Sequence, residues 1–270
     1  MIPNDLFSLK DKVAIVTGAL GLLGRNHCIA LCEAGASVVV AGRNEQKCND
    51  FADQYLKNSI GGYLDVTKKE SVVKLKDKVL YKYKKIDVLV NNAAINDMFE
   101  DPKAATEQSK FENYSLELWQ KSLDVNLTGV FLCSQVIGSE MVKQKRGSII
   151  NIASTYGMTA PDQSIYMDEN GNQSFFKPPA YPVTKGGIII LTKYLAAYWG
   201  KTGVRVNTLT PGGVENAQID FFIKNYSKKT PMGRMAEPTD FKGAIVFLAS
   251  DASAYMTGAN LVVDGGWTCW

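Results

Sequence analysis

Histidine and cysteine are scarce in this chain. Its 270 residues include one histidine, His27, and five cysteines, an odd set without the paired spacing of metal ligands. A lone imidazole and unpaired cysteines argue against a metal centre and against a disulfide framework, and the lack of disulfides fits a reducing compartment. We therefore expect no catalytic metal and a cytoplasmic location.

Excess charge and long apolar runs are also lacking. The net charge is +3 and the lysines are scattered, which is too little positive charge to indicate a nucleic-acid partner. No apolar run reaches the roughly 18 residues of a membrane span. The N-terminal segment lacks the charged-then-apolar pattern of a secretory signal peptide. We expect neither a nucleic-acid nor a membrane partner.

Short apolar runs alternate along the chain with longer amphipathic segments. The first predict strands and the second predict helices. Predicted strands occupy residues 13–16, 37–41, 61–64, 86–90, 148–152, 204–209 and 261–263, and predicted helices occupy 22–34, 44–56, 67–83, 115–142, 180–199 and 239–249. Apolar strands between helices indicate a parallel sheet covered on both faces. We predict an α/β fold with a single doubly wound Rossmann domain over residues 1–270, built on a seven-stranded parallel sheet with helices on both faces.

Three segments break this alternation, at residues 96–113, 158–179 and 212–235. Long loops inside a compact domain are usually functional or disordered. Each of the three follows a predicted strand, so they should gather beyond the carboxyl ends of the strands, where open α/β sheets bind ligands. We predict that they are substrate-side inserts or loops.

A glycine-rich turn follows the first predicted strand and opens the first helix. Glycines let a backbone approach a pyrophosphate closely, and a helix N-terminus supplies free N–H groups and a positive dipole end. The turn predicts a dinucleotide site, and its members are Gly18, Leu20, Gly21, Leu22, Leu23 and Gly24. A merely tight strand-to-helix turn is the alternative.

The end of the second predicted strand bears on the choice of cofactor. An acidic residue there would bind the ribose hydroxyls of NAD, whereas this chain has Gly42 and Arg43. Arginine can hold a 2′-phosphate through its charge and its paired N–H donors. We therefore predict NADP as the cofactor, with NAD as the alternative if Arg43 is only a solvated surface charge.

Tyr181 and Lys185 lie four residues apart at the start of a predicted helix, so both can face one ligand. An unperturbed tyrosine has a pKa of about 10, and a nearby ammonium should lower that pKa. Tyr181 could then exchange a proton with a substrate oxygen. Taken alone, such a pair is common and would not predict a catalytic site.

Further motifs surround this pair in a definite order. They are Asn91-Asn92-Ala93-Ala94 after the fourth predicted strand, Asn126 within a helix, Ser154 after the fifth strand and Pro211-Gly212 after the sixth. Together with the glycine turn and the C-terminal segment 257–266, they resemble the short-chain dehydrogenase/reductase family over essentially the whole chain. The chain is also similar to members of that family from bacterial surface-sugar pathways.

The resemblance implies a catalytic role for four residues. Tyr181 would be the general acid/base, and Lys185 would lower its pKa and bind the nicotinamide ribose. Ser154 would hydrogen-bond the substrate carbonyl or hydroxyl. Asn126 would hold a water in a proton relay behind Lys185. Hydride transfer belongs to the cofactor, so the protein supplies position and electrostatics.

The resemblance also implies the remaining cofactor contacts. Asp65 would contact the adenine, and Asn92 would help to line the cleft. Val214 would place a backbone N–H near the nicotinamide amide. The implied contacts outside the glycine turn are Arg43, Asp65, Val66, Asn92, Ala93, Tyr181, Lys185, Pro211, Gly212 and Val214.

The chain departs from the family pattern in two places. Leu22 occupies the position of the usual middle glycine, and Gly21 comes one residue earlier. The gap from Ser154 to Tyr181 is longer than usual, and the extra residues form the polar segment 158–179. The carboxylates and amides of that segment suit a substrate with many hydroxyls or a charge. A surface excursion without a substrate role is the alternative.

These observations predict an NAD(P)-dependent oxidoreductase that interconverts a secondary alcohol and a ketone on a small, polar, sugar-like molecule. The alternative is an epimerase or dehydratase that keeps its cofactor and acts on a sugar or nucleotide sugar. A non-catalytic binding protein on the same scaffold is a third hypothesis, against which the intact catalytic set argues. We expect a homotetramer or homodimer, in which Trp267 and Trp270 pack on a neighbouring subunit or close the chain's own pocket.

Overall fold

Seven parallel strands form one sheet in the computed structural model, which describes residues 3–96 and 102–270, without the side chains of residues 3, 4 and 102–104. The strands are β1 Val13–Thr17, β2 Ser37–Gly42, β3 Ile60–Tyr63, β4 Val88–Asn91, β5 Gly147–Ile152, β6 Val204–Pro211 and β7 Asn260–Val263. Their order is β3-β2-β1-β4-β5-β6-β7, and every pairing is parallel. The predicted doubly wound sheet is confirmed. The strand order reverses between β1 and β4, so a crevice opens there at the carboxyl ends.

The helices cover both faces of the sheet. They are α1 Pro3–Leu6, α2 Leu22–Glu33, α3 Glu45–Tyr55, α4 Lys69–Tyr83, α5 Pro102–Ser109, α6 Leu116–Gln144, α7 Ala180–Trp199, α8 Asp220–Lys229 and α9 Lys242–Ala249. Successive strand residues point to opposite faces, so Ala14 and Val16 join a core with α2, α3 and α9. Val13 and Ile15 join a second core with α4, α6 and α7.

By length and composition alone, α6 could cross a membrane. Its apolar residues Cys133, Ile137 and Met141 are buried against the sheet, in the core that α6 shares with α4 and α7. Each fully buried side chain of this size stabilises the fold by roughly 1.5–3 kcal/mol relative to exposure. The apolar face of α6 is therefore accounted for by packing within the chain.

Two of the three segments predicted as inserts or loops contain α-helices, and the third, 158–179, contains a turn of 3-10 helix at Gln163–Tyr166. Residues 96–113 include α5 and a turn of 3-10 helix at Phe111–Asn113, whereas residues 97–101 of that prediction lie outside the described part. Residues 212–235 include α8, which has Asp220 in its first turn and two lysines in its last turn. Charges in these positions complement the helix dipole, so the sequence does contain a local signal for this helix.

A line of buried hydrogen bonds ties the sheet to α7. The side-chain amide of Asn91 donates to Asn151 Oδ1 at 2.8 Å, and the side-chain amide of Asn151 donates to Thr192 Oγ1 at 2.9 Å. The hydroxyls of Thr208 and Thr192 lie 2.8 Å apart. Buried polar groups are costly unless they are paired, so this line fixes α7 against β4, β5 and β6. The helix that carries Tyr181 and Lys185 thus has a defined position.

Candidate active site

The three glycines of the turn differ in how closely other atoms of the chain approach them. Gly18 has a φ of 59°, and a Cβ there would lie 2.7 Å from the Cα of Ala93. A Cβ at Gly24 would lie 2.5 Å from the carbonyl oxygen of Gly18. A Cβ at Gly21 would meet only that oxygen, at 3.3 Å. Gly18 and Gly24 therefore make the turn tight, whereas Gly21 borders open space.

Gly21 is also the N-cap of α2 and offers no side-chain acceptor to the helix. The first-turn N–H groups of an α-helix have no partner within the helix, and together with the positive end of its dipole they attract an anion. The early position of Gly21, which departs from the family pattern, places this glycine at the cap. These residues fit the pyrophosphate of a dinucleotide.

Asn92 lies behind this turn. Its side-chain amide donates to the carbonyl oxygens of Thr17 and Gly18, both at 3.0 Å. The hydroxyl of Thr17 accepts the N–H groups of Asn92 and Ala93, also at 3.0 Å. Asn92 and Ala93 therefore hold the glycine turn in shape, and the amide of Asn92 is committed to the backbone.

The residues predicted to contact the adenosine lie beyond β2 and β3. Arg43 is exposed just after β2, and its guanidinium has no hydrogen bond or ion pair within the described residues. Asp65 follows β3, and its Oδ1 accepts the N–H and hydroxyl of Thr67 at 3.0 and 2.8 Å. Val66 is buried in the core below. Adjacent strand ends thus bring the predicted 2′-phosphate and adenine contacts to one edge.

The structure brings three predicted catalytic side chains together. Tyr181 and Lys185 are one turn apart at the start of α7, and Lys185 Nζ lies 5.6 Å from the centroid of the Tyr181 ring. That ammonium donates to the carbonyl oxygen of Ile152 at 2.7 Å. The hydroxyl of Ser154, just after β5, hydrogen-bonds the Tyr181 phenol. A substrate oxygen can therefore meet Ser154 and Tyr181 at once.

Burial governs the protonation of this group. Desolvation raises the pKa of Tyr181, and the hydrogen bond from Ser154 offsets part of that rise. Desolvation also lowers the pKa of Lys185 to about 8. The expected lowering of the Tyr181 pKa by Lys185 is therefore not seen in the protein without its cofactor. The Lys185 ammonium donates to Ile152, and burial disfavours the charged forms of both Tyr181 and Lys185.

Asn126 lies in a π-helical turn of α6, Asp124–Thr128. Its Oδ1 accepts the N–H of Ile95 at 2.7 Å, and its Nδ2 donates to the carbonyl oxygen of Ile95 at 2.9 Å. Nδ2 also lies 3.4 Å from the hydroxyl of Thr184. These bonds fasten the segment after β4 to α7. An amide oxygen has two lone pairs, so Oδ1 can accept a second hydrogen bond, as the expected relay water would require.

A cavity of about 690 Å³ opens in front of Ser154 and Tyr181. Its lining includes an aromatic wall, made of Tyr156, Tyr166, Phe175, Phe222 and Tyr226. No local spacing in the sequence connects these residues, so the sequence could not have predicted them as a group.

The carboxylates and side-chain amides of segment 158–179 do not line this cavity. Asp162 pairs with Lys229 of α8, and Asp168 accepts the N–H groups of Asn170 and Asn172 in its own turn. The expectation that these carboxylates and amides meet the substrate is wrong, since they hold the segment itself. Lys177 of the same segment, which the sequence analysis did not single out, does line the cavity.

The segment after β6 closes the cavity from the cofactor side. The N–H of Gly212 donates to the carbonyl oxygen of Val263. The residues on either side of Val214 are hydrogen-bonded, whereas the N–H of Val214 has no acceptor among the described residues. The hydroxyl of Tyr226 accepts the N–H of Gly213 at 2.6 Å, and Trp267 stacks on the Tyr226 ring at 4.0 Å. Trp267 therefore supports the pocket wall from behind.

Comparisons with known proteins agree with this geometry. A family model described as enoyl-(acyl carrier protein) reductase matches residues 18–268. The NAD-dependent glycerol dehydrogenase of Listeria innocua is 32% identical, over 97% of this chain and 96% of that protein. The D-threitol dehydrogenase of Mycolicibacterium smegmatis is 34% identical, over 97% and 95%. The crystal structure of a gluconate 5-dehydrogenase from Burkholderia cenocepacia, in complex with NADP and tartrate, has a TM-score of 0.85 and 30% identity over 99% of both chains.

Proposed function

This chain belongs to the short-chain dehydrogenase/reductase family and is an NAD(P)-dependent oxidoreductase of alcohols and ketones, and from that premise we propose that it acts on a small, sugar-like secondary alcohol or the corresponding ketone. The observation that carries the proposal is the contact of Ser154 with Tyr181 at the mouth of the 690 Å³ cavity, with Lys185 beneath. The cofactor, when bound, supplies or accepts the hydride.

The chain's own residues handle the proton. Ser154 hydrogen-bonds the reacting oxygen and fixes its place beside the phenol of Tyr181. Tyr181 takes the proton in alcohol oxidation and returns it in ketone reduction. Lys185 would bind the nicotinamide ribose one helical turn beyond Tyr181, and Asn126 of α6 holds Ile95 after β4 and Thr184 of α7 in place.

The cofactor contacts follow the same crevice. Gly18, Gly21 and Gly24 would accept the pyrophosphate, and Asn92 and Ala93 would support their turn. The other proposed contacts are Leu20, Leu22, Leu23, Arg43, Asp65, Val66, Tyr181, Lys185, Pro211, Gly212 and Val214. The exposed guanidinium of Arg43 favours NADP over NAD.

Two observations support a sugar-like substrate. The relatives named above include dehydrogenases of glycerol and D-threitol and a gluconate 5-dehydrogenase. The aromatic wall offers flat apolar surface for carbon-bound hydrogens, and its tyrosines add hydroxyls. We propose that the three inserts at 96–113, 158–179 and 212–235 form the substrate side of a single domain, since Asn96, Lys177 and Phe222 reach the cavity from them.

We also propose a cytoplasmic homotetramer or homodimer. The outer side of α7 exposes Ile190, Tyr194 and Tyr198, each more than 60% accessible, and Phe131 of α6 is exposed as well. Exposed apolar patches of this kind mark association surfaces. Light scattering coupled to size-exclusion chromatography gives the assembly state.

The test of the function is an assay of the wild-type enzyme with NADP⁺ or NAD⁺ and a panel of polyols and sugar acids. One reduced cofactor per alcohol oxidised is the expected result. Conversion of a sugar without net cofactor turnover would instead indicate the epimerase or dehydratase alternative. Tight cofactor binding with no turnover of any alcohol or ketone would contradict the proposal.

A further inference from the structure

Tyr226 of α8 reaches from the substrate side of the molecule to the ends of two neighbouring strands. The residue is buried, with 3% of its surface exposed. Its phenol oxygen accepts the N–H of Gly213, shortly after β6, at 2.6 Å. The same hydroxyl hydrogen-bonds the hydroxyl of Thr155, shortly after β5. One phenol oxygen therefore joins the chain segments that follow β5 and β6.

The ring of Tyr226 has little freedom to move. A Cβ at Gly213 would lie 2.5 Å from the Cζ of Tyr226, so the ring packs directly on that glycine. The ring of Trp267 stacks on it, with centroids 4.0 Å apart and planes at 11°. Trp267 is held by Asp264, whose carbonyl oxygen accepts its N–H at 3.2 Å and whose carboxylate accepts the N–H of Gly266 at 2.9 Å. The phenol oxygen consequently has a defined position.

In the proposed function, the two joined segments hold the two reacting molecules. Ser154 immediately precedes Thr155 and would fix the reacting oxygen of the substrate. Val214 immediately follows Gly213, and its N–H, which has no acceptor among the described residues, would hold the nicotinamide amide. Hydride transfer needs reacting atoms about 3–3.5 Å apart, and a displacement of about 1 Å can slow a reaction roughly 100-fold. The separation of these two segments therefore bears directly on the rate.

We propose that Tyr226 is a positioning residue for hydride transfer, and that its phenol oxygen sets the separation between the substrate at Ser154 and the nicotinamide at Val214. This inference rests on the proposed function, from which it takes both of those contacts. The phenol oxygen acts through the two segments that it joins. The proton transfer stays with Tyr181.

The experiment removes the phenol oxygen and keeps the ring. The variants are Tyr226→Phe, Thr155→Val, the double variant of these two, and the matched control Tyr83→Phe. The hydroxyl of Tyr83 donates to the carbonyl oxygen of Asn58 at 2.9 Å, so the control loses a similar hydrogen bond outside the cavity.

Two quantities are measured for each variant. The first is the Kd for NADPH beside the Kd for 2′-phospho-ADP-ribose, which is the same molecule without its nicotinamide. NADH and ADP-ribose form the parallel pair, and the pair whose dinucleotide the wild type binds more tightly is the one that counts. The second is the rate of hydride transfer in a single turnover, with D-threitol or glycerol and the oxidised cofactor.

Tyr226→Phe should raise the Kd for the dinucleotide about two- to tenfold, as expected for one lost hydrogen bond, and leave the Kd for the fragment without nicotinamide unchanged. Its single-turnover rate should fall about tenfold or more, and saturating alcohol should not restore it. Thr155→Val should show the same pattern to a smaller degree. The double variant should match Tyr226→Phe, because both substitutions break the same bridge. Tyr83→Phe should change none of these values.

Equal rises in Kd for the dinucleotide and the fragment would assign Tyr226 to the general stability of the crevice and overturn the inference. A wild-type single-turnover rate in Tyr226→Phe would also overturn it, and so would additive losses in the double variant. The binding pair decides the inference even where the wild type oxidises neither alcohol. Absence of oxidation by the wild type, together with the expected binding pattern, would contradict only the proposed function.

Discussion

The cofactor half of the molecule and its substrate half are built from different kinds of contact. Around the glycine turn, backbone meets backbone, as where Gly24 approaches Gly18 and where Asn92 holds two main-chain carbonyls. On the substrate side, side chains from distant segments meet. The amide of Asn225 on α8 donates to the carbonyl oxygen of Met167 at 3.1 Å, across 58 positions of sequence. A close contact between backbone segments limits which residue types fit at that position, whereas a contact between side chains can be made by many residue types.

This comparison predicts a large effect at the glycine turn. Gly24→Ala should lower the free energy of unfolding by about 1–3 kcal/mol, because the new Cβ meets the main chain of Gly18 and Ala19. Gly21→Ala is the matched control, since its Cβ meets only the oxygen of Gly18. It should change stability by less than about 1 kcal/mol and still weaken NADPH binding. Urea unfolding and fluorescence titration of both variants test this, and a fully stable Gly24→Ala protein would refute it.

A smaller effect is expected at the adenosine end. Arg43→Leu should raise the Kd for NADPH about tenfold and leave the Kd for NADH nearly unchanged, because only NADPH carries the 2′-phosphate. Lys47→Leu, which removes another exposed positive charge, from α3, serves as the control. Equal Kd values for NADPH in the wild type and Arg43→Leu would remove Arg43 from the cofactor site.

The smallest effect concerns the substrate side. Hydrogen bonds from Lys229 and Ser164 lower the pKa of Asp162 to about 2. A carboxyl whose folded pKa is depressed contributes stability above its unfolded pKa, near 4, and loses it as the pH falls from 4 towards 2. The pair is about 40% exposed, so its contribution is at most about 1 kcal/mol. In acid unfolding, Asp162→Asn should not show this loss of stability between pH 4 and 2. Parallel curves of stability against pH for the variant and the wild type would contradict the stabilising role of Asp162.

The same contrast explains which features the sequence could predict. The sheet and the glycine turn follow from local patterns of apolar residues and glycines, and Ser154, Tyr181 and Lys185 occupy the ends of predicted elements. These features depend on neighbours in sequence, so their spacing carries the information.

The substrate pocket could not be predicted in this way. Lys177 meets Asn96 across 81 positions, and Tyr156 meets Tyr166 at 3.4 Å only because the segment folds back on itself. The acidic residues of that segment suggest substrate contacts by their polarity, whereas Asp162 and Asp168 bond to neighbouring groups of the protein. Polar composition indicates a loop, but does not indicate which side chains face inward.

The most direct test of the account is turnover by Tyr181→Phe, with cofactor binding measured on the same sample. The phenol is the proposed proton carrier, so turnover should fall by about 10²–10⁴-fold. The ring is retained and the glycine turn is distant, so the Kd for NADPH should stay close to the wild-type value. A variant that binds NADPH normally and has lost turnover would support the account. Turnover by Tyr181→Phe near the wild-type rate would contradict it.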